Sequence, residues 1–146
     1  MILKFKKSFT TAAIALSLLV SAQSAFAITG LGDSESSAVA AAANVHYTWK
    51  LETAYDEDWF VYTNNTSSSV SITAAMTSPS GQNYNLDPYW YQNGNRIKLS
   101  VNDNGPGKTD SFTLSNLRPG EKISFRIYTA TGSVNNSPYD FYYTVN

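Results

Sequence analysis

The chain has no cysteine and only one histidine, His46, among its 146 residues. The absence of cysteine excludes a disulfide framework, a thiolate zinc site and a thiol nucleophile. A single histidine excludes a multi-histidine metal cluster. Charged side chains are sparse as well, at 14%. Disordered chains combine high charge with few aromatics. This one carries three tryptophans, ten tyrosines and seven phenylalanines. No Gly-x-Ser-x-Gly elbow is present, so the local signature of one large hydrolase class is missing. No stretch is apolar for the roughly 20 residues that a membrane-spanning helix needs.

The N-terminus has the three parts of an export signal: a basic start at Lys4, Lys6 and Lys7, a mostly apolar run over 9–20, and a small-x-small site at Ala25-Phe26-Ala27. The expected division is a cleaved signal peptide at 1–27, a flexible leader at 28–43 and a folded domain at 44–146. Removing 27 residues leaves 119, with seven basic side chains against eleven acidic ones, a net charge of −4. Such a balance gives no electrostatic footprint for nucleic acid. The expected location is outside a bacterial cell, with no stable membrane span once the signal is removed.

The leader is rich in small residues, including the run Ala40 to Ala43. Alanine favours helix, but so short a segment is not stable alone. Beyond Asn44 the pattern is that of strands, with apolar residues alternating between turn signals. Strands are expected over 45–51, 59–62, 70–76, 84–91, 97–101, 112–114, 122–128 and 139–145. The run Trp59 to Tyr62 is continuously apolar, as in a strand covered on both faces. Asn93-Gly94, Pro119-Gly120 and Asn135-Asn136 supply turn geometry. Gly105-Pro106-Gly107-Lys108-Thr109 resembles the end of a phosphate loop, but Asn102 stands where that motif needs glycine. It reads as a hairpin turn. About eight short strands at this spacing predict an all-β, jelly-roll-like antiparallel sandwich.

Three motifs occur in order: Asp56-Glu57-Asp58-Trp59-Phe60; then Tyr84-Asn85-Leu86-Asp87-Pro88-Tyr89-Trp90-Tyr91; then Arg118-Pro119-Gly120 before the strand ending Ile127-Tyr128, with a closing aromatic strand from Tyr139 to Val145. Their order and spacing resemble the bacterial pre-peptidase C-terminal domain family, which includes collagen-binding modules of secreted collagenases. The resemblance covers about 45–145. It departs from the family at Asn85, usually aspartate, at Pro88, usually apolar, and after Pro119-Gly120, where Lys122 and Ile123 replace a tyrosine. It implies a jelly-roll-like sandwich without a catalytic centre of its own, normally appended to a secreted peptidase. In the collagen-binding branch, acidic residues of an N-terminal linker bind calcium.

The candidate chemistry is that of contact rather than catalysis. Exposed tyrosine and tryptophan give large contact area at low entropic cost. Tyr89, Tyr91, Tyr128 and Tyr142, with Arg126, form the candidate ligand face, Tyr128 and Tyr142 being neighbours if the last two strands pair. Trp59, Phe60, Phe112, Phe125 and Phe141 fit a core. His46 has no catalytic partners in view and reads as a surface or packing residue. Asp56, Asp58 and Asp87 are the candidate calcium ligands, although adjacent carboxylates on one strand alternate sides and cannot all converge. No other cofactor is indicated. The expected partner is an extracellular protein or polysaccharide. A small secreted toxin, antimicrobial or peptidase inhibitor is the alternative class.

Overall fold

The computed structural model describes residues 30–146; the expected signal peptide lies outside the described residues. Nine strands are formed: β1 (Val39–Ala40), β2 (Tyr47–Trp49), β3 (Glu57–Thr63), β4 (Val70–Thr77), β5 (Tyr84–Gln92), β6 (Asn95–Lys98), β7 (Thr109–Leu117), β8 (Lys122–Thr129) and β9 (Tyr139–Val145). Sheet A has the order β1-β3-β8-β5-β6 and sheet B the order β2-β9-β4-β7. The pairs β2·β9, β3·β8, β4·β7 and β5·β6 nest inside one another, as in an antiparallel ribbon rolled up on itself. This is a jelly-roll β-sandwich. The ribbon folds back at Asn93-Gly94, both at positive φ (52° and 78°), the geometry of a two-residue hairpin turn. Among the described residues no helix is long and apolar enough to cross a membrane.

Strand parity builds the core. On β8, Ile123, Phe125 and Ile127 are fully buried between the sheets. On β3, Phe60 points the same way, and on β9 Phe141 and Tyr143 meet it from sheet B. Phe60 stacks on Phe141 at 4.7 Å, and Phe125 lies 5.3 Å from Phe141 and 5.6 Å from Tyr143. Each such aromatic pair contributes about 0.5–1.5 kcal/mol beyond the area it buries. Phe112 is half-buried and packs on Phe125 from the edge strand β7. Trp59 is only 5% exposed, yet its parity opposes that of Phe60. It lies on the outer side of sheet A.

Residues 30–43 close the free edge of β3 beside Trp59. Gly32 accepts the Trp59 backbone N–H at 2.8 Å, and a Cβ on Gly32 would come within 3.2 Å of the Trp59 carbonyl. β1 then pairs in parallel with β3. Ala41 donates its N–H to Val61 and accepts the Tyr143 hydroxyl at 2.5 Å. Small side chains let this backbone lie close against the sheet. Packing therefore runs across the boundary drawn at residue 43.

Two further differences from the sequence reading follow from the roll. β6 ends at Lys98, so Leu99 and Val101 lie beyond the strand, although the Leu99 N–H still reaches the Pro88 carbonyl at 2.9 Å. The Gly105–Thr109 stretch is not a hairpin, because β6 and β7 belong to different sheets; it carries the chain from one sheet to the other. Pro88 sits in β5 just past the last β5–β6 pair, Tyr89 with Lys98. Its carbonyl faces Leu99, and its missing N–H leaves out the reciprocal bond to Leu99, so the β5–β6 ladder ends there.

Candidate functional site

The outer face of sheet A carries Glu57 and Trp59 from β3, Lys122, Arg126 and Tyr128 from β8, Asp87, Tyr89 and Tyr91 from β5, and Arg96 and Lys98 from β6. The register sets Trp59, Arg126 and Asp87 in one row, and Lys122, Tyr91 and Arg96 in another. Alternation puts charges beside aromatic rings, and they pair. The Arg126 guanidinium lies 4.1 Å from the Tyr128 ring and 6.0 Å from that of Trp59. It forms an ion pair with Glu57, which also accepts Trp59 Nε1–H at 3.0 Å. Lys98 Nζ is 2.7 Å from Asp87, Arg96 sits 3.5 Å over Tyr89, and Lys122 sits 4.0 Å over Tyr91. Arg96 also reaches Glu35 at 3.2 Å, tying the N-terminal segment to the far edge of the sheet. Each cation–π contact at a solvent-facing site contributes about 0.5–1 kcal/mol. Together they set cations and rings side by side across this face.

Four of the five candidate ligand residues, Tyr89, Tyr91, Arg126 and Tyr128, share this face. They do not play equal parts. Tyr89 is 5% exposed, with the Trp59 ring 5.5 Å away and Arg96 over it. It supports the face rather than presenting itself. Tyr91 and Tyr128 are half-buried and keep surface toward solvent. Tyr142 belongs elsewhere: β8 and β9 lie in opposite sheets, so Tyr142 is not a neighbour of Tyr128. It stands on the outer side of sheet B, stacked at 4.5 Å on His46. His46 Nδ1 is 2.8 Å from Asp140 and the imidazole is largely exposed, a surface packing arrangement.

At the end of the face near the β3 N-terminus there is a cleft of about 160 Å³, lined by Tyr55, Asp56, Glu57, Arg126, Tyr128 and Thr129. The chain enters β3 through a turn at 53–56, which Asp56 closes by accepting the N–H groups of Glu52 at 2.7 Å and of Glu57 at 2.9 Å. The turn thrusts Tyr55 outward until it is 94% exposed. Tyr128 forms another wall, its hydroxyl accepting Asn85 Nδ2–H at 3.1 Å. In the floor, Arg126 has its terminal nitrogen on Glu57 while its Nε is buried and has no hydrogen-bond partner. Tyr55 escapes a reading of the sequence because it lies in a turn, where no periodicity marks a face.

The three candidate calcium ligands do not converge. Asp56 is used by the turn. Asp58 points into the core, and Asp87 faces outward on β5 beside Lys98. Among the described residues no group of three or more histidine, aspartate or glutamate side chains is placed to hold a metal ion.

Asp58 is 2% exposed and accepts the Tyr139 hydroxyl at 2.6 Å. Burial raises its pKa to about 7; the Tyr139 hydrogen bond opposes this, and the nearby Asp56 charge adds to it. Burial also pushes the Tyr139 phenol well above its ordinary range. The Tyr84 ring packs edge-on to Tyr139 at 6.2 Å, and its hydroxyl is buried without a partner. This acid–phenol pair sits inside the sandwich and belongs to folding rather than to surface chemistry.

Comparison with known proteins finds no matching family model and no curated protein of significant similarity.

Proposed function

We propose that this chain is an exported, non-catalytic binding module that contacts an extracellular protein or polysaccharide through the outer face of sheet A. The observation that carries this reading is the ordered lattice of cations and aromatic rings on that face, with the open cleft beside Tyr55 and Tyr128. Exposed, pre-positioned tyrosine and arginine are the residues that concentrate binding energy at interfaces. Their ordering before contact lowers the entropic cost of association. The resemblance to pre-peptidase C-terminal domains, which are accessory modules of secreted peptidases, and the export-like N-terminus support the same reading.

The test is a pull-down on collagen, peptidoglycan and chitin with the native protein and the Tyr128→Ala, Tyr91→Ala and Tyr142→Ala variants. The expected result is binding that weakens in the first two and persists in Tyr142→Ala, which alters the opposite sheet. Binding lost only in Tyr142→Ala would move the contact surface to sheet B and overturn the proposal.

A further inference from the structure

We infer that the cleft between Tyr55 and Tyr128 is a saccharide subsite, which takes one ring of a neutral, hydroxyl-rich glycan. This rests on the reading of sheet A as the contact face and names the chemistry of its ligand.

Three observations lead there. The first is the aromatic wall. Tyr55 is the most exposed of the large hydrophobic side chains described, at 94%, held up by a turn that Asp56 closes with two backbone hydrogen bonds. A ring presented on a braced turn next to a second tyrosine offers its face to the C–H side of a sugar ring while its hydroxyl stays wet. The second is the polar floor. Arg126 lines the cleft with a guanidinium whose five N–H groups are not all used by its ion pair with Glu57. Glu57 and Asp56 are carboxylates whose four acceptor positions each are not filled by the bonds they already make. Donor and acceptors in one small space suit hydroxyl groups, which can both accept and donate. The third is charge. Arg126 is paired with Glu57 and lies 3.9 Å from Asp87, and Asp56 stands in the wall. With its one cation outnumbered by carboxylates, the cleft has no surplus positive charge for a phosphate, a sulfate or an acidic sugar. The volume of about 160 Å³ is below the roughly 300 Å³ at which drug-sized sites begin. It has room for one ring, and it opens on the sheet face, across which a longer chain can continue toward Tyr91.

The experiment is calorimetric titration of the purified protein with soluble cello- and chito-oligosaccharides, with heparin and polygalacturonate fragments as acidic probes and a gelatin peptide as protein probe. Neutral oligosaccharides are expected to bind and the acidic ones to fail. Tyr55→Ala is expected to weaken neutral-glycan binding by about tenfold, equivalent to about 1.4 kcal/mol, with an unchanged melting temperature because Tyr55 buries almost nothing. Arg126→Lys keeps the charge but removes the guanidinium fork and is expected to weaken the same binding. If the gelatin peptide binds in a Tyr55-dependent way and the glycans do not, the saccharide assignment falls and the contact face stands. If glycans bind and Tyr55→Ala leaves the affinity intact while Tyr91→Ala abolishes it, the cleft is not the subsite. If no probe binds and the pull-down also fails, both readings fall together.

Discussion

Asp58 should make this protein lose stability as pH rises from acid to neutral. Its carboxyl is buried, and its pKa in the folded state is about 7 against 3.8 for the free side chain. A group whose pKa is raised by folding favours the native state in its protonated form. Its contribution is complete below pH 3.8, fades as pH climbs, and is gone above about 7. Each tenfold change in proton affinity between the folded and unfolded chain corresponds to about 1.4 kcal/mol, which sets a ceiling of about 4 kcal/mol. Relaxation and water penetration around the charged form reduce it. Asp58→Asn keeps an oxygen to accept the Tyr139 hydroxyl and removes the titration. The two proteins should melt within a few degrees of each other at pH 4. At pH 8 the variant should be the more stable, its melting temperature higher by about 3–6 °C per kcal/mol recovered. Thermal or urea denaturation of both proteins from pH 4 to pH 9 is the assay. Asp110, also raised by burial, bends both curves alike, so the difference between the two proteins isolates Asp58. Parallel profiles, or an asparagine variant that is less stable at pH 8, would refute the reasoning.

Other perturbations test other layers of the structure. Gly32→Ala sets a side chain at φ +84° with its Cβ 3.2 Å from the Trp59 carbonyl; a loss of about 1–2 kcal/mol in urea melts is expected, and no loss would mean that residues 30–43 add little to the fold. Phe125→Ala removes the ring shared by Phe112, Phe141 and Tyr143, and equilibrium unfolding should register about 3–5 kcal/mol. Arg126→Ala strips two ring contacts and leaves Glu57 unpaired, costing about 1–2 kcal/mol; the loss should shrink in high salt, and a salt-independent loss would assign it to packing alone.

Part of this was legible in the sequence, and the rest was hidden for physical reasons. The alternation of Ile123, Phe125 and Ile127 with Lys122, Ser124 and Arg126 is local, and it reports the two sides of β8 correctly. The apolar run at Trp59 and Phe60 indicates cover on both sides of β3, which the structure supplies from the opposite sheet on one side and from Tyr89 and Arg126 on the other. Parity says which residues share a side of one strand. It does not say which strands share a sheet. Sequence order groups Tyr142 with Tyr128 because the last two strands are consecutive, whereas in a rolled ribbon consecutive strands mostly alternate between sheets. Asp58 shares the parity of Phe60 and Tyr62, and that is the signal that it points inward. Its place in an acidic cluster suggests solvent or a cation instead. Pairing of β1 with β3 has no local signature, since two small residues carry no pattern.

The position of β9 has a consequence for how the chain is made. It is the last strand in sequence, yet it lies in the middle of sheet B, between β2 and β4. Among the described residues β2 pairs with no other strand, so this early segment must wait for a late one. A chain still emerging from a ribosome cannot finish sheet B, and its inner aromatic surface stays uncovered until Tyr139 to Val145 arrive. Long-range pairing of this kind slows folding.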